Sequence, residues 1–123
     1  MSKNEKYIIE AKEKWGNGKL FKEYEEKTKN YSNSKFSELS NEINNIFRDF
    51  SLCLDQKVDS PKVQALVKKL QLHITNNYYN CTNDILYCLG QMYVTDERYK
   101  SNIDKHLSGT AEFIFEAIKV YCK

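Results

Sequence analysis

Glycine and proline are scarce in this sequence, at four and one among 123 residues. An all-β sandwich or barrel needs a turn about every 8 to 12 residues, so so little turn chemistry excludes one and leaves helices. Long apolar runs are missing as well. No stretch approaches the roughly 18 to 20 consecutive apolar residues of a membrane span. The amino terminus, Met1-Ser2-Lys3-Asn4-Glu5-Lys6, lacks the apolar centre of an export signal. A cytoplasmic protein is therefore predicted, with its four cysteines as reduced thiols rather than a disulfide framework. Charge of one sign is lacking too. The 19 basic and 17 acidic residues are interleaved from end to end, leaving a net +2 and no basic stripe of the kind that tracks phosphates. There is no P-loop, Gly-rich dinucleotide turn, paired-carboxylate motif or HExxH. Cys81 and Cys88 are seven residues apart, with His73 and His106 remote, and this fits no compact zinc spacing. The sequence predicts neither a metal nor a cofactor.

What is present is one domain's worth of chain, with 41% hydrophobic and 29% charged residues, enough to bury a core without metal or disulfide. From Ser32 onward, Leu39, Ile43, Ile46, Phe47, Phe50 and Leu54 recur at three- and four-residue intervals and predict a long amphipathic helix. Lys57-Val58-Asp59 reads as a loop. Ser60-Pro61 then supplies a capping hydroxyl and a proline at the first helical position, ahead of the stripe Val63, Leu66, Val67, Leu70, Ile74, Tyr78. The polar residues around Asn76-Asn77 and Asn80 to Asn83 predict a break, after which Ile85, Leu86, Leu89, Met92 and Tyr93 mark another helix. Thr95 to Arg98 reads as a short capped turn, and Ser108-Gly109-Thr110 opens a last helix that is apolar on every side and hence central. Residues 3 to 31 differ. Two short helices can be drawn there, interrupted at Gly16-Asn17-Gly18, but their apolar stripe is thin and predicts weak order or order only on binding.

Seven residues are two helical turns, so on one helix Cys81 and Cys88 would share a face with Cα atoms about 10 Å apart, too far for a disulfide. If the helix begins only at Thr82, Cys81 sits at its entry. Both fall at the edge of the apolar arc, where a side chain can face a cleft. Cys53 and Cys122 read as small core hydrophobes. His73 lies beside the apolar stripe of its helix and reads first as a core or cleft histidine, with a haem-binding sensor as a minor alternative. A thiol-dependent enzyme centred on Cys88 is the other alternative. The 16 aromatic residues exceed what the core stripes need, and Trp15, Phe21, Tyr24 and Tyr78 are candidates for contact with an apolar or heteroaromatic ligand. Asp84, between the two thiols, completes the candidate set.

Taken together, Trp15-Gly16-Asn17, Lys27 to Ser32, Tyr79-Asn80-Cys81, the run Cys88 to Tyr99, Asn102-Ile103-Asp104 and Ala117 to Tyr121 resemble the TipAS antibiotic-recognition domain. That domain lies at the carboxyl end of some MerR-family transcriptional activators, and the resemblance covers nearly the whole chain. It implies an all-α, globin-like fold with a flexible helical lid over residues 1–31 and a core over 32–123. It also implies that the protein binds thiopeptides or other drugs, to sense or sequester them, without enzymatic turnover. Cys88 matches the thiol that adds to a dehydroalanine of the drug, Cys81 matches its companion, and the segment around Trp15 to Tyr31 matches the lid. The winged-helix DNA-binding domain and dimerising coiled coil of the full regulators have no counterpart in this sequence. A free-standing or excised ligand-binding form is expected, one that does not itself contact nucleic acid, with dimerisation left to the region it lacks.

Overall fold

The computed structural model describes residues 19–123, with side chains from Lys22 onward. The predicted helix before Gly16, the Gly16-Asn17-Gly18 break, Trp15 and the side chain of Phe21 lie outside the described residues. Within them the chain forms six helices and no strand: α1 Lys19–Thr28, α2 Asn33–Ser51, α3 Pro61–Asn77, α4 Asn83–Thr95, α5 Glu97–Asp104 and α6 Thr110–Tyr121.

Each start has a local cause. The first N–H groups of a helix have no partner within it, and a side-chain oxygen just ahead supplies one. Ser32, Ser60 and Thr82 accept from the amides of Lys35, Val63 and Ile85, at 3.0, 3.4 and 3.3 Å. Pro61 stands at the first position of α3, where its missing N–H costs nothing. The short capped turn predicted at Thr95 to Arg98 is the beginning of a longer helix, α5, with Asp96 as its cap. The Asp96 carboxylate also binds the Arg98 guanidinium, and that contact holds its pKa below the usual carboxylate range. For α6 the cap comes from a distance. Gly109 takes φ +92°, a backbone conformation that favours glycine, and Asp104 at the end of α5 accepts from the Ala111 amide at 2.9 Å.

Packing follows the stripes. Leu39, Ile46, Phe47 and Phe50 of α2 and Val63, Val67, Leu70 and Ile74 of α3 are buried, as their periodicity predicts. The last helix is central, as its all-round apolar character predicts: α6 touches α2, α3, α4 and α5, and Ala111, Ile114, Ala117 and Ile118 are fully buried. Its approach to α4 is close at Gly90, where an added Cβ would stand 2.7 Å from the Phe115 ring. Polar side chains tie the ends together. The Gln64 amide of α3 donates to the carbonyls of Val58 and Ala117, at 2.8 and 3.1 Å. One turn pair further along α3, Gln71 Nε2 donates to Cys81 O and Asn83 Oδ1, both at 2.9 Å, while its Oε1 accepts from the Tyr121 hydroxyl at 2.8 Å.

Candidate ligand-binding site

Thr82 caps α4, so Cys81 stands one residue ahead of the cap and does not stack above Cys88 on a common helical face. Its backbone is held on both sides: the amide donates to Thr75 Oγ1 at 3.1 Å, and the carbonyl accepts from Gln71. The side chain is 3% exposed. It is thus a buried residue, where the periodicity of a continuous helix puts it at a cleft edge. Burial, with Cys122 nearby as a second cause, pushes the Cys81 thiol up to about 12. A thiolate is the nucleophile, and this sulfur is kept protonated.

Cys88 sits in the middle of α4 and is half-buried. Its neighbour Tyr87 is partly open and meets the Phe115 ring edge-on, 5.5 Å between centroids, with Lys119 Nζ 4.8 Å above that ring. Cys53 is 1% exposed, a core residue as predicted. Cys122 is also half-buried, but its sulfur rests 3.4 Å from the Asn83 carbonyl. Burial first, then the Asp84 charge, raises its pKa. Among the four thiols, Cys88 combines partial exposure with freedom from a hydrogen bond among the described residues. Asp84 is exposed in the first turn of α4. There its negative charge complements the positive end of the helix.

The remaining candidates gather at the carboxyl end of α3, where α1 is seated. Tyr24 of α1 is 5% exposed. Its ring stacks on Tyr78, the residue that ends α3, with centroids 6.1 Å apart and planes 16° from parallel. Around this stack the fastening is polar. Lys27 Nζ donates to the Thr75 carbonyl at 2.6 Å, the Asn80 amide donates to Glu23 Oε2 at 2.8 Å, and the Tyr31 hydroxyl donates to the Asn77 carbonyl at 2.8 Å. Counting apolar positions misses these three links, because none of the donors or acceptors belongs to a stripe. Tyr78 in turn meets His73 edge-on at 6.3 Å, and burial first among its causes lifts the Tyr78 phenol to about 12.

His73 is a cleft histidine, its side chain 8% exposed. Its Nε2 lies 3.2 Å from Glu42 Oε1 but off the line of a hydrogen bond, and its Nδ1 has no hydrogen-bond partner among the described residues. Desolvation outweighs the pull of Glu42 and lowers its pKa. Beside it a cleft of about 580 Å³ opens between α2 and α3, with Ile46 and Leu72 as apolar wall and Glu42, Lys68 and Lys69 among the charged groups around it. Of the candidate residues with described side chains, His73 alone lines this cleft. The structure thus brings Tyr24, Tyr78 and His73 into one contact line, puts Cys81 and Asp84 at the entry of α4, and leaves Cys88 further along that helix. Glu42 and Gln71 were not candidates from sequence. An exposed carboxylate on α2 and an amide on α3 carry no motif, and only the fold brings them to His73 and to the Cys81 backbone.

Comparison with known proteins converges on one family. The model of the TipAS antibiotic-recognition domain matches residues 7–121. The HTH-type transcriptional activator mta of Bacillus subtilis is 33% identical over 116 residues, covering 94% of this chain and 45% of that protein. The HTH-type transcriptional activator TipA of Streptomyces coelicolor is 31% identical over 116 residues, covering 93% of this chain and 46% of that protein. The chain therefore spans about half the length of the curated relatives it matches. Among solved structures, TipAS of Streptomyces lividans in complex with nosiheptide, from a thiopeptide antibiotic multidrug resistance system, is similar at a TM-score of 0.80 and 29% identity. That likeness covers 98% of this chain and 86% of the other, and the shared architecture is helical and globin-like.

Proposed function

The chain belongs to the TipAS antibiotic-recognition domain family, and from that premise we propose that it captures an antibiotic and holds it, as the sensing unit of a transcriptional activator or as a sequestering protein, without turnover. The observation that carries this reading is the likeness to the nosiheptide complex across almost the whole chain. On this reading DNA contact and pairing of subunits belong to the part of a full-length activator that this chain does not match, and the cytoplasm is the compartment this role requires. Among the described residues no helix is long and apolar enough to cross a membrane.

The thiol chemistry follows from access. Cys88 is the attacking group, because Cys81 and Cys53 are buried and the Cys122 sulfur rests on a carbonyl. Its thiolate sulfur adds to the methylene carbon of a dehydroalanine in the drug, and the electron pair of the double bond moves to the α-carbon, which takes up a proton. The net change is addition of S–H across the double bond, with no leaving group and no oxidant. Cys81 supports this from behind, its backbone fixing the entry of α4. The segment 1–31 acts as a lid, for which Tyr24 provides the latch on Tyr78 and Trp15 and Phe21 supply further apolar contact to the drug. A stoichiometric adduct and a thiol-dependent enzyme centred on Cys88 part on turnover: the first consumes one drug per protein, the second needs a general base beside the sulfur and releases product.

Intact-protein mass spectrometry with nosiheptide tests the reading. One drug equivalent of added mass is expected on the unaltered protein and on Cys53→Ser, and none on Cys88→Ser. Full adduct on Cys88→Ser would overturn the thiol assignment, and absence of any bound drug, covalent or reversible, would overturn the sensing role for this ligand class.

A further inference from the structure

On a helix the side chains that surround any one residue are those three and four positions away. For Cys88 on α4 these are Asp84, Ile85, Gln91 and Met92. Ile85 and Met92 are half-buried and pack against the core, Asp84 is exposed, and Gln91 is half-buried. The sulfur therefore stands on a border between an apolar pair and a polar pair. Of the four, Gln91 alone carries a hydrogen-bond donor, because an ionised carboxylate only accepts and the other two have neither N–H nor O–H. Long side chains on a helix lean towards its amino end, which brings Gln91 over the turn that carries Cys88. Its backbone carbonyl accepts from Thr95 Oγ1 at 2.8 Å, while its side-chain amide has no hydrogen bond among the described residues. The adjacent face of α4 is taken, since Tyr87 meets the Phe115 ring there and Lys119 lies over the same ring.

Addition of a thiolate to a dehydroalanine moves charge. As the S–C bond forms at the methylene carbon, the electron pair of the double bond passes to the α-carbon and is shared with the oxygen of the carbonyl beside it. The α-carbon then takes a proton from water, and nothing leaves. A donor placed at that carbonyl oxygen is bound more strongly in the transition state than in the ground state, and only such a difference speeds a chemical step. We propose that the side-chain amide of Gln91 is this donor: it holds the carbonyl conjugated to the dehydroalanine and accelerates addition of the Cys88 sulfur, so that the site favours electrophiles whose charge develops on a carbonyl oxygen. The role rests on Cys88 as the attacking thiol.

Two electrophiles separate this role from ordinary thiol reactivity. Methyl 2-acetamidoacrylate, a small dehydroalanine, develops charge on its carbonyl oxygen as sulfur adds. Iodoacetamide alkylates the same sulfur by displacement and puts the charge on the departing iodide. The ratio of the two rates at Cys88, read by peptide mass spectrometry, cancels any change in the thiolate fraction. Gln91→Met and Gln91→Glu, which lack the donor, should lower that ratio about ten-fold, and Gln91→Lys, which restores one, should hold it near that of the unaltered protein. An unchanged ratio in Gln91→Met, or an equal fall in Gln91→Lys, would overturn the assignment, and so would a Cys88 that takes iodoacetamide but no acrylate. Nosiheptide keeps the two readings apart: if it leaves no adduct on the unaltered protein, the capture of this drug falls, while the acrylate still decides the role of Gln91.

Discussion

The helices α6 and α1 are held to the same protein by different physics. At α6 the fastening is apolar: Ala111, Ile114, Ala117 and Ile118 are fully buried against four other helices, and no hydrogen bond is needed to say where it goes. At α1, among the described side chains, Tyr24 stacked on Tyr78 provides the apolar contact, Lys27 donates to the Thr75 carbonyl, Glu23 accepts from the Asn80 amide, and just past the helix Tyr31 donates to the Asn77 carbonyl. Apolar burial contributes about 25 cal/mol per Å², whereas an intramolecular hydrogen bond exchanged for water contributes only about 1 kcal/mol net. The first arrangement makes a permanent core. On the proposed lid reading the second would make a docking equilibrium, which a ligand can bias only in proportion to its differential affinity for the docked state.

That contrast fails if the two helices respond alike to truncation. Ile118→Ala should cost about 2 to 5 kcal/mol of global stability, as buried large-to-small changes do, and Phe47→Ala, at a site 2% exposed, should fall in the same range. Urea unfolding checks both, and a loss below about 1 kcal/mol at each would show that the core is elsewhere. Tyr24→Ala should remove about 2 kcal/mol of docking free energy, the sum of one ring's burial and its stack. The urea midpoint should barely move. Amide exchange across residues 22–28 should quicken while that of α6 stays slow, and equal quickening in both would mean that α1 belongs to the core.

Two smaller effects sharpen the comparison. Glu23→Gln keeps the shape but weakens the acceptor for the Asn80 amide, so docking should loosen by about 0.5 to 1 kcal/mol, visible as faster exchange at Asn80 and in α1. The smallest effect concerns His73, which links the α1 seat to the cleft. Burial lowers its pKa, so as pH falls through the ordinary value of about 6.5 the unfolded chain takes up a proton before the folded one does. Stability contributed by the neutral ring is therefore present above that value and is lost as pH drops towards the folded pKa. His106 is lowered as well, burial again being the main cause. His73→Gln should remove part of the slope of stability against pH between about 7 and 5, and His106→Gln the remainder. An unchanged slope in His73→Gln would mean that the ring titrates normally.

Much of the architecture was legible before any coordinates. Ser32, Ser60-Pro61 and Thr82 are strong local signals, because a hydroxyl ahead of a free amide acts within one turn, and the stripes of α2, α3 and α6 repeat often enough to fix which face is inside. The run Cys81 to Arg98 carried the family. What escaped has a common cause. The length of α5, the burial of Cys81, the three polar links of α1 and the pairing of His73 with Glu42 all depend on groups distant in sequence, and a side chain that satisfies a remote carbonyl leaves no periodicity behind. The candidate site shows the same division. Tyr24, Tyr78 and His73 do meet, yet only the fold reveals that the line they form ends at a cleft without a thiol.

Gln71 has a consequence for how α4 can be altered. Its amide nitrogen spends both hydrogens on Cys81 and Asn83, and its oxygen receives the Tyr121 hydroxyl. The amide is thus oriented; rotated by half a turn, it would set its oxygen against the carbonyl oxygens of Cys81 and Asn83. Glutamate, nearly identical in outline, cannot fill the position at neutral pH, because it donates nothing and would press a negative charge on the same carbonyls. The bearing of the helix that carries Cys88 is in this sense keyed by the order of two atoms in one amide.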